Sequence, residues 1–177
     1  MLDALILIIL VGFILDYNLF IESYRKKRED MINAFRKEND QENENFLYFP
    51  IEPKWRTEGE VVIRKPKDGM IDYKINFVRI GKINFSLENN PQKLDLYQIE
   101  NQPDEYFIYL KDATSGKDSY GLGRFVPIIK EKDKFIIDFN LSFTPACGHV
   151  EGSACPWARE SVPIPIQAGE KALPYTD

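Results

Sequence analysis

From Lys82 to Asn140, apolar and polar residues trade places at every second position over much of the chain, and turn-forming clusters interrupt the pattern at short intervals. A period of two puts successive side chains on opposite faces of a strand, so that one face can be buried. Lys82–Leu87 (KINFSL) and Lys93–Ile99 (KLDLYQI) flank Glu88-Asn89-Asn90-Pro91, a run of turn formers, and predict a hairpin. Tyr106–Leu110 and Ser119–Ile129 predict another around Ala113–Asp118, and Lys134–Asn140 follows the charged turn Glu131–Asp133. Upstream, Pro53–Arg56 reads as a turn and short extended piece, and Val61–Arg64 and Tyr73–Arg79 as strands. Pro163–Gln167 reads as the last strand. Short strands with no helix between them predict a mainly β chain, a small antiparallel β-barrel or sandwich rather than βαβ units.

This β region, residues 46–177, follows two different segments. Tyr17–Lys37 carries Leu19, Phe20, Tyr24, Met31 and Phe35 at roughly helical spacing and predicts an N-terminal amphipathic α-helix. Glu38–Asn45 is a polar breaker, so residues 17–45 form a helix and loop. Ala4–Leu15 is an unbroken apolar run that makes residues 1–16 similar to a signal peptide or short anchor. It falls short of the roughly 20 apolar residues a spanning helix needs. Two expectations follow: an exported or membrane-anchored protein that associates with membrane through residues 4–15, or a cytoplasmic one in which the run is a buried helix. The 44% hydrophobic and 13% aromatic content supports a packed core. The net charge, 23 − 28 = −5, argues against nucleic acid as a partner, because phosphate contacts need a basic face. The one dense basic run, Arg25–Arg28, lies beside acidic residues and reads as a solvated face or as membrane-proximal charges.

Polar residues with no evident solubility role concentrate between Tyr106 and Lys171: Asp112, Thr114, Tyr120, Arg124, Asp138, Asn140, Cys147, His149, Cys155 and Glu170. Arg124, between Tyr120 and Phe125, needs a carboxylate if it points inward. Asp138, on a neighbouring strand, is the first expectation for that partner. Such a pair either fixes barrel register or leaves Arg124 to grip an anionic ligand. The Gly121-Leu122-Gly123-Arg124 run lacks the strand–turn–helix setting of a dinucleotide fingerprint. Cys147 and Cys155 stand C-x7-C apart, which is not a zinc-ribbon or thioredoxin spacing. They allow a disulfide outside the cytoplasm, free thiols, or, with His149 and a carboxylate, a tetrahedral zinc site. His149 is the only histidine and so the only candidate base for a Cys–His nucleophile pair.

Several motifs follow one another in a fixed order: Asp112-Ala113-Thr114-Ser115-Gly116, Tyr120-Gly121-Leu122-Gly123-Arg124-Phe125, Asp138-Phe139-Asn140, Phe143-Thr144-Pro145-Ala146-Cys147, Cys155-Pro156 and Ala168-Gly169-Glu170-Lys171. In this they resemble the bacterial domain of unknown function 1684 family. Glu22–Asp30 looks like its arginine-rich first helix, and Tyr48-Phe49-Pro50 like its tyrosine-phenylalanine-proline lead-in. Leu122 stands where the family has glycine and Thr144 where it has asparagine. The segment after Pro156 lacks the family's proline-proline-x-glutamate-asparagine pattern, with Glu160 as its nearest remnant. The resemblance includes both cysteines but not His149, which favours a disulfide between Cys147 and Cys155 over a metal site of Cys147, His149 and Cys155. It also draws Glu170 back towards the central site.

Neither the residues nor the resemblance names a cofactor or a reaction. The leading expectation is a β domain that binds a small polar or anionic molecule through Asp112, Thr114, Tyr120, Arg124, Asp138, Asn140 and Glu170. The alternatives are an enzyme on a split-barrel-like scaffold using a flavin or a metal, and a purely structural envelope protein.

Overall fold

In the computed structural model the backbone is described over residues 2–39, 45–72 and 75–173, with side chains over 15–37, 45–64 and 75–173. The chain divides into two compact units, Met1–Glu42 and Asn43–Asp177.

The first unit is a single helix, α1 (Leu2–Asn39). It runs through both the expected amphipathic helix and the apolar run before it, because no proline interrupts the stretch. Phe20 and Tyr24, one turn apart, bring their ring centroids within 4.5 Å. Arg36 and Lys37 occupy the last turn, where positive charge complements the helix dipole. The side chains of Ala4–Ile14 lie outside the described residues. Among the described residues no helix is long and apolar enough to cross a membrane.

The second unit is a closed antiparallel barrel of six strands: β1 (Arg56–Asp72), β2 (Ile75–Leu87), β3 (Asn90–Ile99), β4 (Gln102–Asp112), β5 (Arg124–Glu131) and β6 (Lys134–Asp138). Their order is β3-β2-β1-β6-β5-β4, and β3 pairs again with β4 to close the ring. Closure removes sheet edges that would otherwise invite pairing with other chains. The expected hairpin at Glu88–Pro91 is present. Leu87 pairs with Asn90, and Glu88 and Asn89 turn the chain with φ of 48° and 62°. Two central residues with positive φ match the twist of the flanking strands. Val61–Arg64 lies within the long β1; of the separately expected Tyr73–Arg79, Tyr73 and Lys74 lie outside the described residues, and the rest belongs with Lys82–Leu87 to one strand, β2. A bulge divides β2, so that Arg79 and Gly81 pair with the consecutive Tyr97 and Leu96.

Three strand expectations are corrected. Ser119–Ile129 becomes strand only at Arg124, after a turn over Gly121 and Leu122. Lys134–Asn140 stops at Asp138, whose carboxylate accepts from the Asn140 N–H and caps a 3₁₀ helix, Phe139–Leu141. Pro163–Gln167 is not a strand. Only Ser161–Val162 pairs, parallel to the end of β4, as β7. Pro163 and Pro165 have no N–H to give to a ladder. The segment runs on in extended form and still alternates: Val162, Ile164, Ile166 and Ala168 join Ile83, Leu96, Ile108, Leu110, Val126, Ile128 and Ile137 in the main core. Burying each large aliphatic side chain contributes about 1.5–3 kcal/mol.

The opposite face of these strands is apolar too. Phe77, Tyr97, Phe107, Tyr109 and Phe125 form a second cluster with Ala158, and Phe143 packs against it. Phe125 stacks on Tyr109 at 4.4 Å and on Phe77 at 4.5 Å. Phe143 and Ala158 therefore cover part of the outer wall, and the Tyr109 hydroxyl lies within hydrogen-bond reach of the Leu122 and Pro156 carbonyls, at 3.0 and 3.1 Å. A charge network fastens the end of this cover. Lys82 Nζ lies 2.8 Å from both Asp95 Oδ1 and Glu160 Oε1, Arg79 lies 3.2 Å from Asp95, and Glu160 accepts from the Asp95 N–H at 2.6 Å.

Burial and the neighbouring Asp95 and Glu160 carboxylates push the Tyr97 hydroxyl up to about 12. Burial alone would lower the Lys82 ammonium, but hydrogen bonds and charge from Asp95 and Glu160 outweigh it and raise it. In the unfolded chain Tyr97 releases its proton near pH 10 while the native state keeps it. Rising pH therefore favours unfolding, and this stability, complete below pH 10, is lost towards pH 12. Denaturant midpoints should fall across this window, and Tyr97→Phe should flatten the fall. An equally steep loss in the variant would rule Tyr97 out as the cause.

Candidate functional site

Arg124 opens β5 and Leu110 lies opposite it on β4, so Asp112 is its diagonal neighbour on the same, inward face. The guanidinium of Arg124 is 2% exposed. Nη2 donates to Asp112 Oδ2 at 2.8 Å and to the Ile166 carbonyl at 3.0 Å. Nη1 donates to the Ala168 carbonyl and, at 3.0 Å, to that of Glu170. The other carboxylate oxygen of Asp112 accepts from Thr114 N at 2.7 Å, Thr114 Oγ1 at 2.6 Å and Ile166 N at 3.3 Å. Thr114 Oγ1 also lies 2.8 Å from Ser119 Oγ. The aspartate-x-threonine turn and the arginine thus form one buried clasp that holds the backbone of residues 166–170.

The expected partner, Asp138, is not part of it. Ile128 pairs with Ile137 and both face the core, so Asp138, one residue on, faces the other way from Arg124. Its carboxylate accepts from Asn140 N and Nδ2, both at 3.2 Å, and lies 3.7 Å from Arg56 Nε. Asn140 in turn exchanges hydrogen bonds with the backbone of Glu52, donating to its carbonyl at 2.9 Å and accepting from its N–H at 3.0 Å. Asp138 and Asn140 therefore make a second cluster, which fastens the segment leading into β1.

Glu170 bridges the clasp to a third cluster. Its carbonyl receives Arg124, and its carboxylate accepts from Thr144 N at 2.9 Å and lies 2.7 Å from His149 Nε2. Both side chains of the His149–Glu170 pair are 3% exposed, and Phe46 packs on the imidazole in a tilted arrangement, with ring centroids 4.7 Å apart. Cys147 and Cys155 are joined in a disulfide. Both sulfurs of the alternative metal set are thereby spent on each other, and His149 faces Glu170. Among the described residues no three metal-ligating side chains come together. Tyr120 lies at the disulfide rather than at Arg124, with its hydroxyl 3.5 Å from Cys147 Sγ and 3.4 Å from Cys155 Sγ.

Sequence reasoning missed the carbonyls of Ile166 and Ala168 as partners of Arg124, and the Lys82–Asp95–Glu160 network. The first had a signal: the alternation of Val162, Ile164, Ile166 and Ala168 marks an extended segment with inward and outward faces. The lead-in Leu47–Phe49 pairs with residues 169–171, through Phe49 N to the Gly169 carbonyl at 2.9 Å and Lys171 N to the Leu47 carbonyl at 2.8 Å. The two ends of the barrel unit are thus bound to each other beside the clasp.

Fold and clasp together define a small closed β-barrel whose C-terminal segment is locked in place by a buried arginine–aspartate pair. The chain belongs to the family described as Protein of unknown function (DUF1684), whose model matches residues 41–171. That match takes in every barrel motif, and the similarity at Glu22–Asp30 lies outside it. The solution NMR structure of an uncharacterized protein from Haloarcula marismortui shares the fold. It is 20% identical, with a TM-score of 0.69 over 88% of this chain and 96% of that one. No curated protein matches the chain.

Gly169 lets the tail pass this point. Its φ is +71°, and a Cβ there would meet Ser142 Oγ at 1.9 Å, the Ser142 carbonyl oxygen at 2.6 Å and that of Phe139 at 2.8 Å. Gly169→Ala should destabilise the domain by about 1–3 kcal/mol, from overpacking and an unfavourable φ. Urea unfolding measures this, and a variant as stable as the parent would show that the tail has room the geometry denies it.

Proposed function

We propose that this chain is a structural β-barrel domain of an oxidising compartment, in which the shared motifs lock the C-terminal segment to the barrel and do not grip a ligand. The observation that carries this reading is the state of Arg124. Four of its N–H donors are used by Asp112 and three tail carbonyls, and the side chain is buried. An anion could reach it only by displacing Asp112 or the tail. A binding arginine keeps donors pointed into a cleft, where the ligand completes them. The disulfide supports the compartment, since such bonds persist where thiols are not kept reduced. The small polar or anionic ligand expected at Arg124, Asp138 and Tyr120 would need three residues that lie in three separate clusters. The metal form of the enzyme alternative would need two thiolates that are joined in a disulfide.

A double-mutant cycle with calorimetry tests the proposal. Arg124→Ala leaves Asp112 buried without its cation, and should cost about 3–5 kcal/mol of stability. Asp112→Ala should cost a similar amount. The double variant should lose clearly less than the two losses added, because no orphan charge remains. Titration of a metabolite panel should give no binder whose affinity depends on Arg124. A stable Arg124→Ala protein that has lost a ligand bound by the parent would overturn the structural reading.

A further inference from the structure

The clasp does not use Tyr120. Its hydroxyl lies within hydrogen-bond reach of both disulfide sulfurs, at 3.4 and 3.5 Å. The ring gets there because residue 148 is glycine: a Cβ would meet Tyr120 Cε2 at 3.2 Å and Cδ2 at 3.3 Å, and Thr144 Cγ2 at 2.3 Å. The two cysteines differ in exposure, Cys155 being an exposed residue and Cys147 a half-buried one. A disulfide sulfur is a poor acceptor for an O–H, whereas a thiolate accepts a much stronger, charge-assisted bond. The Tyr120 hydroxyl therefore gains most when the S–S bond opens, and it stabilises the charge that opening creates.

We propose that Cys147–Cys155 is a thiol-exchange site. The thiolate of an external thiol attacks Sγ of Cys155, the more exposed of the two cysteines, and forms a new S–S bond to it. The Cys155–Cys147 bond breaks, and its electron pair leaves on Cys147 Sγ as a thiolate held by the Tyr120 O–H. The product is a mixed disulfide on Cys155. A second external thiolate can then attack this mixed disulfide at the external sulfur. That step joins the two external thiols in a disulfide and leaves both cysteines reduced, the two electrons having come from the thiols. Access selects the sulfur that is attacked, and stabilisation of the leaving thiolate sets the ease of departure.

The full chain, incubated under native conditions with glutathione and quenched with N-ethylmaleimide, tests this by peptide mass mapping. Glutathione is expected on Cys155 and maleimide on Cys147. Tyr120→Phe keeps the ring and removes the hydroxyl. It should slow exchange about ten- to a hundredfold, the size of one hydrogen bond to a charged group, with the melting temperature unchanged. A parallel arm with a reduced thioredoxin-type protein identifies the source of the thiol: exchange with glutathione assigns a small molecule, and exchange with the dithiol protein alone assigns a protein. Glutathione found on Cys147, a bond that opens only on unfolding, or an unchanged rate in Tyr120→Phe would each overturn the proposal. The position of the adduct is read on the unmodified protein, so the test does not depend on the variant folding.

Discussion

A guanidinium cannot be dehydrated cheaply, and removing one from water costs several kcal/mol unless nearly all of its donors find acceptors. Arg124 meets this demand with one carboxylate and three backbone carbonyls. Three of those four acceptors belong to a segment whose ladder with the barrel strands covers only Ser161 and Val162. The dependence runs both ways. Without the tail, Arg124 would have Asp112 alone. Without Arg124, the carbonyls of Ile166, Ala168 and Glu170 would each lose a buried donor. The clasp thereby replaces the sheet ladder that Pro163 and Pro165 forbid. It holds Val162, Ile164, Ile166 and Ala168 in the core at the same time.

The same need for acceptors explains how the motifs relate. Asp112 has two oxygens, and Arg124 uses one. The other accepts from Thr114 and Ile166, so the turn after β4 and the tail share an anchor. Glu170 repeats the arrangement one step further on, with its carbonyl turned to Arg124 and its carboxylate to Thr144 N and His149. Motifs separated by more than forty residues thus occur together because each completes the hydrogen bonding of the next.

The barrel was legible because its strands obey a period of two and its hairpins carry suitable turn residues, as at Glu88–Pro91. The covered outer wall was less so. Tyr106–Leu110 is apolar or aromatic at every position, which tells of burial on both faces but not of what lies over the second one. Residues 143–158, which cover part of it through Phe143 and Ala158, have no period of their own. The clasp was half legible. The register needed to choose between Asp112 and Asp138 depends on face. Counting from Leu110↔Arg124 puts Asp112 inward, and counting from Ile128↔Ile137 puts Asp138 outward. A partner chosen from strand adjacency alone misses that difference. Backbone acceptors such as the Ala168 carbonyl leave no mark on the sequence, since every residue carries one.

Sequence motifs of polar residues and glycines invite a functional reading, yet Gly169 and Asp138 each have a local physical cause. Gly169 exists because Ser142 and Phe139 oxygens crowd its Cα, and Asp138 because a 3₁₀ helix needs its first N–H capped. What such causes leave over is informative. Asp112, Thr114, Arg124, Asp138, Asn140 and Glu170 complete backbone groups and charges, whereas Tyr120 sits at the half-exposed disulfide with its hydroxyl against sulfur. A thiolate accepts a hydroxyl proton more strongly than a disulfide sulfur does. The state available to this bond is the one with Cys147 as a thiolate.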